Sequence, residues 1–154
     1  MNRSTLAAHA AATCLLLTGC AVADEPPAPQ DAPAAPRSEE AGEETLRTWV
    51  DALATGDGAS GCAVTTAKFR KHVIEQAVGW KHVPAGASCA DAVAATGAAR
   101  LDQGASLRIE RITRTHVSKN GNAYFEVQWE ESEEGDGAGF GLVWRDGRYL
   151  INRG

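Results

Sequence analysis

The sequence predicts an α+β domain in which N-terminal helices pack on one face of an antiparallel β-sheet. Apolar residues in the first part of the chain recur with the helical period of about 3.6, whereas those after Gly104 recur with the strand period of 2. Two turn-forming pairs, Asn120-Gly121 and Asp146-Gly147, separate the later apolar runs. Helices followed by hairpin-connected strands favour a sheet that is covered on one face. A chain of 154 residues allows one domain of ordinary size.

Composition and charge narrow the class of protein. The formal net charge of -5 disfavours sequence-independent binding to nucleic acid, which depends on basic side chains. The four cysteines include no C-x-x-C pair of the kind that binds zinc or acts as a redox centre. The sequence therefore predicts no nucleic-acid partner, no metal and no cofactor.

Residues 1–19 predict a targeting segment. Arg3 precedes a mostly apolar run at residues 5–18, which at about 1.5 Å per residue reaches only about 20 Å of the ~30 Å hydrocarbon core. The run leads into Leu17-Thr18-Gly19-Cys20, which resembles the lipobox of bacterial lipoproteins. This resemblance implies that residues 1–19 are removed and that a diacylglycerol on the Cys20 sulfur holds the chain on the outer face of the cell membrane. An ordinary signal peptide cut nearby is the alternative.

Residues 20–42 predict a tether rather than folded structure. They hold five of the six prolines and an excess of acidic side chains, and Val22 is their one branched apolar residue. Such a composition cannot bury enough apolar surface to fold. A Pro-rich chain extends at about 3.1 Å per residue, so this segment would span up to about 50–60 Å. Its negative charge would hold the domain away from an anionic lipid surface.

The first helix is predicted to begin after Ser38 and to end at Gly56-Asp57-Gly58, where glycine can adopt the left-handed cap. Acidic residues in its first turns complement the helix dipole. Its apolar stripe repeats at i, i+3, i+4 and i+7 and consists of Leu46, Trp49, Val50 and Leu53.

Three further helices are predicted before the sheet. Residues 59–64 fit one short helix, and Thr66 caps a third helix that runs to about Val78. The apolar face of this third helix consists of Phe69, Val73, Ile74 and Ala77. A fourth helix is predicted after Ser88, because Asp91 completes the pattern of a capping box.

The strands are predicted to follow Gly104. Leu107, Ile109 and Ile112 alternate with charge, and the slip in spacing before Ile112 indicates a β-bulge. The two turn pairs then predict hairpins. The face turned towards the helices is predicted to carry Ala123, Phe125, Val127 and Trp129 from one strand and Phe140, Leu142 and Trp144 from the next.

Residues 43–154 resemble a known family in the order of their elements. The features that carry the resemblance are the first helix ending in Gly56-Asp57, Cys62 in a short helix, Cys89 before the strands and the closing hairpin around Asp146-Gly147. They are similar to the nuclear-transport-factor-2-like domain of small secreted lipoproteins from high-GC Gram-positive bacteria. The resemblance implies a cone-shaped fold with N-terminal helices on a curved antiparallel sheet. Members of this fold include isomerases, cyclases, dehydratases and non-catalytic adaptors, so fold alone leaves the function open.

Cys62 and Cys89 are predicted to form a disulfide bond. The other two cysteines leave with the signal segment or carry the lipid, so one pairing remains in an oxidising compartment. Closing this loop would stabilise the domain by roughly 3–4 kcal/mol on the chain-entropy model. The alternative is a metal site that combines the two cysteines with His72 or His82. The spacing of these residues does not match a pattern of metal ligands.

An enzyme of this fold needs a base inside the cone and an oxyanion donor opposite it. The polar residues that could take these places are Asp57, Asp102, His116 and Tyr124. Each also has a structural explanation, as a helix-ending acid, a loop acid, an exposed strand histidine and a rim aromatic. No spacing forces any two of them together, so the sequence assigns no catalytic residue.

Aromatic and charged clusters suggest further interpretations. The four tryptophans are predicted to belong to the core, and the alternative is a ligand cavity lined by Trp49, Tyr124, Trp129 and Trp144. The acidic run at residues 130–136 fits a solvated connection or a contact with a basic partner. A complementary basic strip on the neighbouring strand would consist of Arg108, Arg111 and Arg114.

Together these features predict a lipid-anchored, extracytoplasmic module that binds or contacts a partner at the cell envelope without catalysing a reaction. Its partners would be the membrane, through the Cys20 lipid, and an envelope protein or a small apolar ligand. Two alternatives stay open. One is a small-molecule enzyme of the isomerase, cyclase or dehydratase type that uses the apolar cone, and the other is a structural module that docks to another membrane protein.

Overall fold

Helices precede a β-sheet in the computed structural model, which describes residues 37–130 and 137–154. Within these residues the elements are α1 (Glu39–Thr55), α2 (Gly58–Ala63), α3 (Ala67–Gly79), α4 (Cys89–Asp102), β1 (Ile109–Val117), β2 (Ala123–Trp129), β3 (Ala138–Arg145) and β4 (Arg148–Arg153). The described strands form an open antiparallel sheet in the order β1-β2-β3-β4. The predicted α+β class is therefore confirmed. The predicted signal segment, Cys20 and residues 131–136 of the acidic run lie outside the described residues.

The helices begin at the capping residues that the sequence indicates. The Ser38 hydroxyl accepts a hydrogen bond from the backbone N–H of Ala41, and the Thr66 hydroxyl accepts one from that of Phe69, both at 3.2 Å. Ser88 caps α4 in a complete capping box. Because α1 begins at Glu39, its first residues belong to the segment 20–42 that the sequence assigns to the tether.

Glycine lets the helices approach one another closely. A Cβ atom on Gly97 of α4 would overlap the backbone carbonyl of Leu53 in α1. A Cβ atom on Gly58 of α2 would likewise overlap the carbonyl of Ala90 in α4. These contacts place α4 directly against both α1 and α2, so neither glycine tolerates a side chain without movement of a helix.

Cys62 of α2 and Cys89 of α4 form a disulfide bond, with their Cα atoms 6.2 Å apart. The bond joins the short helix to the first residue of α4, across the same interface that the glycines tighten. Both thiols are used in this bond, which removes the alternative of a metal site built from them. Within the described residues no group of three or more histidine, cysteine or acidic residues is placed to hold a metal ion.

The core lies between the helices and one face of the sheet. The predicted stripe of α1 is buried, with Leu46 and Val50 at 1% exposure or less. The buried apolar residues of β2, β3 and β4 are Ala123, Phe125, Val127, Phe140, Leu142, Tyr149 and Ile151. Trp129 and Trp144 belong to the same face but are only partly buried, since they stand towards strand ends.

One tryptophan departs from the prediction that all four are core residues. Trp80 lies just beyond α3 and exposes 55% of its surface. The reason is local, since the chain turns away from the helix through Lys81, whose φ of 62° is left-handed. The indole therefore stands at the surface between α3 and α4.

Both predicted hairpin turns are present. Asp146 and Gly147 have φ values of 51° and 76°, as a two-residue type I′ turn requires. At the other turn Gly121 has a φ of 77°, and its N–H donates to the Ser118 carbonyl at 2.9 Å. The predicted bulge is also present, because the pairing of β1 with β2 shifts register between Ile109 and Arg111. None of the described helices combines the length and the apolar character needed to cross a bilayer.

Candidate ligand-binding site

A cavity of about 120 Å³, termed here the inner cavity, lies between the helices and the end of the sheet that carries Trp129. Its apolar wall consists of Trp49, Leu53, Phe69, Val73, Trp129, Ala138 and Phe140. The polar residues on its rim are His72, Gln76, Thr96 and Arg100. His72, Gln76 and Arg100 are exposed, so the cavity opens to solvent on the side where α3 and α4 meet.

The wall of the inner cavity is held in place by packing. Trp49 and Phe69 are each 5% exposed, and their rings meet edge to face with centroids 5.5 Å apart. This geometry is favourable between aromatic rings. Because both rings are fixed by the core, the cavity is formed before any ligand enters.

A wider and more polar space, termed here the outer cleft, adjoins the inner cavity. It measures about 520 Å³ and is lined by Trp80, His82, Thr96, Ala99, Arg100, Gln103 and Ala105. Trp80, Thr96 and Arg100 line both spaces. The two spaces therefore share a wall, and Trp80 stands at the junction.

The end of α3 determines where Trp80 points. The N–H of His82 donates to the Ala77 carbonyl at 2.9 Å, and the N–H of Lys81 donates to the Val78 carbonyl at 3.0 Å. This is the Schellman pattern of helix termination, with Lys81 in the left-handed position that glycine usually occupies. The Trp80 and His82 rings then meet edge to face at 5.8 Å.

The polar rim comes from two helix faces. Thr96 and Arg100 of α4 and its C-cap residue Gln103 are spaced i, i+4 and i+7, and His72 and Gln76 are spaced i, i+4 along α3. Sequence reasoning did not single out Thr96, Arg100 or these glutamines, and it assigned Trp80 to the core. The spacing of polar residues on the otherwise Ala-rich α4 is the signal that could have indicated them.

The four aromatic residues predicted to line a cavity separate into two groups. Trp49 and Trp129 line the inner cavity. Tyr124 lies on the opposite face of the sheet, where the guanidinium of Arg153 stands 4.5 Å from its ring centroid. Trp144 packs against Tyr149 with centroids 4.9 Å apart, away from the cavity. Tyr124 and Trp144 therefore do not line the inner cavity, because strand alternation and strand length carry them elsewhere.

The four polar residues considered for catalysis do not converge on one site, and the two that lie close together are His116 and Tyr124. Asp57 caps α2, and its carboxylate accepts hydrogen bonds from the hydroxyl and the N–H of Ser60 at 2.6 and 3.2 Å. These two bonds, the hydroxyl first, hold the pKa of Asp57 below its ordinary value. Asp102 is exposed at the end of α4. His116 and Tyr124 are paired across β1 and β2, with ring centroids 5.8 Å apart.

The predicted basic strip is divided among different partners. Arg108 contacts Glu130, the described residue of the acidic run, with Nε and Oε2 2.9 Å apart. Arg114 instead contacts Glu39 at the start of α1, at 3.3 Å. Arg111 donates to the side chain of Gln128. Among the described residues, these arginines therefore connect neighbouring elements of the fold.

Comparison of the chain with protein-family models, curated proteins and solved structures finds no significant match. The fold and the site define an α+β domain with a small apolar cavity that opens through a polar rim.

Proposed function

We propose that this protein is a non-enzymatic binding module of the cell envelope that holds a small apolar group in the inner cavity. The observation that carries this proposal is the preformed apolar space of about 120 Å³ behind an open polar rim. An apolar cavity of about 150 Å³ in another protein stays dry and binds benzene. By that measure the inner cavity takes a group of about five or six carbon atoms.

The wall of the inner cavity favours binding over the catalytic alternative. An isomerase-type site pairs a carboxylate base with a tyrosine or an acid that donates to the oxyanion. The described residues that line the inner cavity include no aspartate, glutamate or tyrosine. The residues considered for those roles lie at a helix cap, a helix end and the far face of the sheet.

The family assignment is part of the proposal. Helices that precede an antiparallel meander, with an apolar cavity between the two layers, are what the nuclear-transport-factor-2-like resemblance implies. In that fold the cavity would correspond to the interior of the cone, and the wall from Trp49 and Trp129 supports this interpretation.

The start of the described domain lies at the end of the sheet opposite the inner cavity. Arg37, where the tether meets the domain, stands 5.7 Å from the ring centroid of Trp144. The inner cavity lies at the other end of β2 and β3, near Trp129 and Ala138. A strand rises about 3.3 Å per residue, so about 20 Å separate these two ends of the sheet. A tether attached at Arg37 would enter the domain at the end away from the cavity.

Benzene tests the cavity proposal. NMR titration of the oxidised full-length chain should shift the amide signals near Trp49 and Phe69. Ala138→Leu places a larger side chain against the cavity and should abolish these shifts, because Ala138 lines it. Ala98→Leu, at an exposed site of α4 outside the lining, is the matched control and should leave them intact. Absence of binding to the unmodified chain, or binding that survives Ala138→Leu, would contradict the proposal.

Cell fractionation tests the proposed anchor. Cys20→Ala removes the sulfur that the lipobox resemblance assigns to the lipid, so lipid labelling should be lost and the domain released or left as uncleaved precursor. Cys14→Ala is the matched control, since that residue lies within the predicted signal segment. Cleaved Cys20→Ala protein that still sediments with membranes would show that the anchor is something else.

A further inference from the structure

The inner cavity and the outer cleft offer different chemistry on the two sides of Trp80. Apolar side chains form the inner wall, whereas His82 and Gln103 add polar groups to the outer cleft. A molecule that extends from one space into the other would meet apolar surface at one end and hydrogen-bond donors at the other. This arrangement suits an amphipathic ligand.

Arg100 sets the charge at the junction of the two spaces. Its guanidinium carries five N–H donors. Within the described part of the chain the Arg100 side chain makes no ion pair or hydrogen bond, unlike Arg47, Arg108 and Arg114, which each contact a glutamate. None of the described residues that line either space is acidic. Among the described residues, the Arg100 guanidinium therefore has no acidic partner and is available to an anion.

Trp80 supplies an apolar surface beside that charge. More than half of its surface is exposed, and the hydrogen bonds that end α3 fix the backbone on either side of it. An indole ring in this position can cover the part of a ligand that passes from the inner cavity to the outer cleft. Burial of its exposed surface would favour binding.

We propose that the ligand is a small carboxylate with a short apolar tail. The tail occupies the inner cavity, the carboxylate accepts hydrogen bonds from the Arg100 guanidinium in the outer cleft, and Trp80 covers the segment between them. This inference rests on the proposed function, because it assigns the tail to the same cavity. The size of that cavity limits the tail to about six carbon atoms, and the charge of Arg100 disfavours a cationic head.

Three probes of six carbon atoms each separate the contribution of the head group from that of the cavity. Isothermal titration of the oxidised full-length chain compares hexanoate, 1-hexanol and hexylamine. The alkyl tail has five carbons in hexanoate and six in the other two, so the probes differ chiefly in the group that they offer to Arg100. We expect hexanoate to bind at least tenfold more tightly than hexylamine, with 1-hexanol between them.

Arg100→Gln removes the charge and keeps a polar side chain of similar reach. It should weaken hexanoate binding about tenfold, as expected for the loss of a charge-assisted hydrogen bond, and leave 1-hexanol within about twofold. Arg148→Gln, at the exposed start of β4 and outside both linings, is the matched control and should change neither affinity. Because Arg100 is itself exposed, its replacement should not alter the thermal melting of the chain.

The outcomes distinguish this inference from the function on which it rests. Hexanoate affinity that is unchanged in Arg100→Gln, or hexylamine affinity equal to that of hexanoate, would overturn the inference. In either case continued binding of 1-hexanol would leave the cavity function standing. Failure of all three probes to bind the unmodified chain would overturn both.

Discussion

Single side chains at the helix ends couple the local structure of this domain to pH. The Asp91 carboxylate accepts a hydrogen bond from the Ser88 hydroxyl at 2.7 Å and another from the Ser88 N–H at 3.2 Å. The first of these bonds contributes most, and together they hold the pKa of Asp91 below its ordinary value. Asp57 is held in the same way by Ser60. Both carboxylates are surface groups that stabilise the start of a helix only when they are ionised.

The sign of the pH dependence follows from these lowered pKa values. A carboxylate whose pKa is lower in the folded chain contributes stability above its unfolded pKa of about 4, and this contribution is lost as the pH falls through the folded value. Ser88→Ala removes the hydroxyl donor, so the pKa of Asp91 should rise towards its ordinary value and the loss of stability in acid should become shallower. NMR titration of the Asp91 carboxyl signal measures the change.

A control for this titration is Ser106→Ala. The Ser106 hydroxyl accepts a hydrogen bond from the N–H of Arg108, so its loss should leave the pKa of Asp91 as it is. An Asp91 pKa that is the same with and without the Ser88 hydroxyl would show that the helix terminus alone lowers it.

At the scale of elements, the helices are positioned by contacts between small residues. Gly97 lies against the Leu53 carbonyl, and Gly61 faces Val93 and Ala52 with almost no space for a Cβ atom. Such contacts bring helix backbones closer than larger side chains allow. They also set the relative positions of α1 and α4, which carry Trp49 and Arg100 on the wall and rim of the inner cavity.

Gly97 and Gly79 both lie in α-helices but differ in the space available to a Cβ atom, so their alanine variants form a matched pair. Gly97→Ala forces a methyl group into the Leu53 carbonyl, so the free energy of unfolding should fall by about 1–3 kcal/mol. Gly79→Ala adds the same methyl group where no atom lies within 4 Å, so stability should stay the same or rise by up to about 1 kcal/mol. Urea unfolding curves of the two variants measure both effects. Equal stability of the two variants would mean that α1 and α4 separate at low cost.

At the scale of the whole molecule, one covalent bond supports a helical layer made largely of small residues. The disulfide between Cys62 and Cys89 spans 27 positions of the chain and restrains the unfolded state. It closes the loop that contains all of α3 and the turn carrying Trp80. Backbone hydrogen bonds between Ile151 of β4 and both Val64 and Thr66 also tie this loop to the sheet.

Replacement of both cysteines by alanine should lower the free energy of unfolding by about 3–4 kcal/mol. The physical reason is the greater conformational freedom of the unfolded chain once the loop is open. Denaturant melts of the oxidised chain and of the Cys62→Ala/Cys89→Ala variant measure this difference. A reductant should destabilise the first and leave the second unchanged, and equal stability of the two oxidised proteins would refute the prediction.

Local patterns in the sequence were sufficient for the order of the elements and for several of their ends. The stripe from Leu46 to Leu53, the capping pair Ser88 and Asp91, and the turn at Asp146-Gly147 each depend on neighbours within a few residues. Such signals act through backbone preferences and through the period of one element, so they can be read without the rest of the fold. The disulfide pairing was also predictable, since one pairing was left.

The tertiary structure decided the site. Periodicity shows which residues share a face of one element, but it does not show which elements meet or how far apart they stay. Trp49 and Trp129 come together although 80 positions separate them, whereas Tyr124, from the same strand as Trp129, faces the other way. Trp80 is exposed because the chain reverses at Lys81, and Arg100 reaches the rim only because α4 packs beside α3. A cavity is the space that packed elements leave unfilled, so it is determined by contacts between distant parts of the chain rather than by any local pattern.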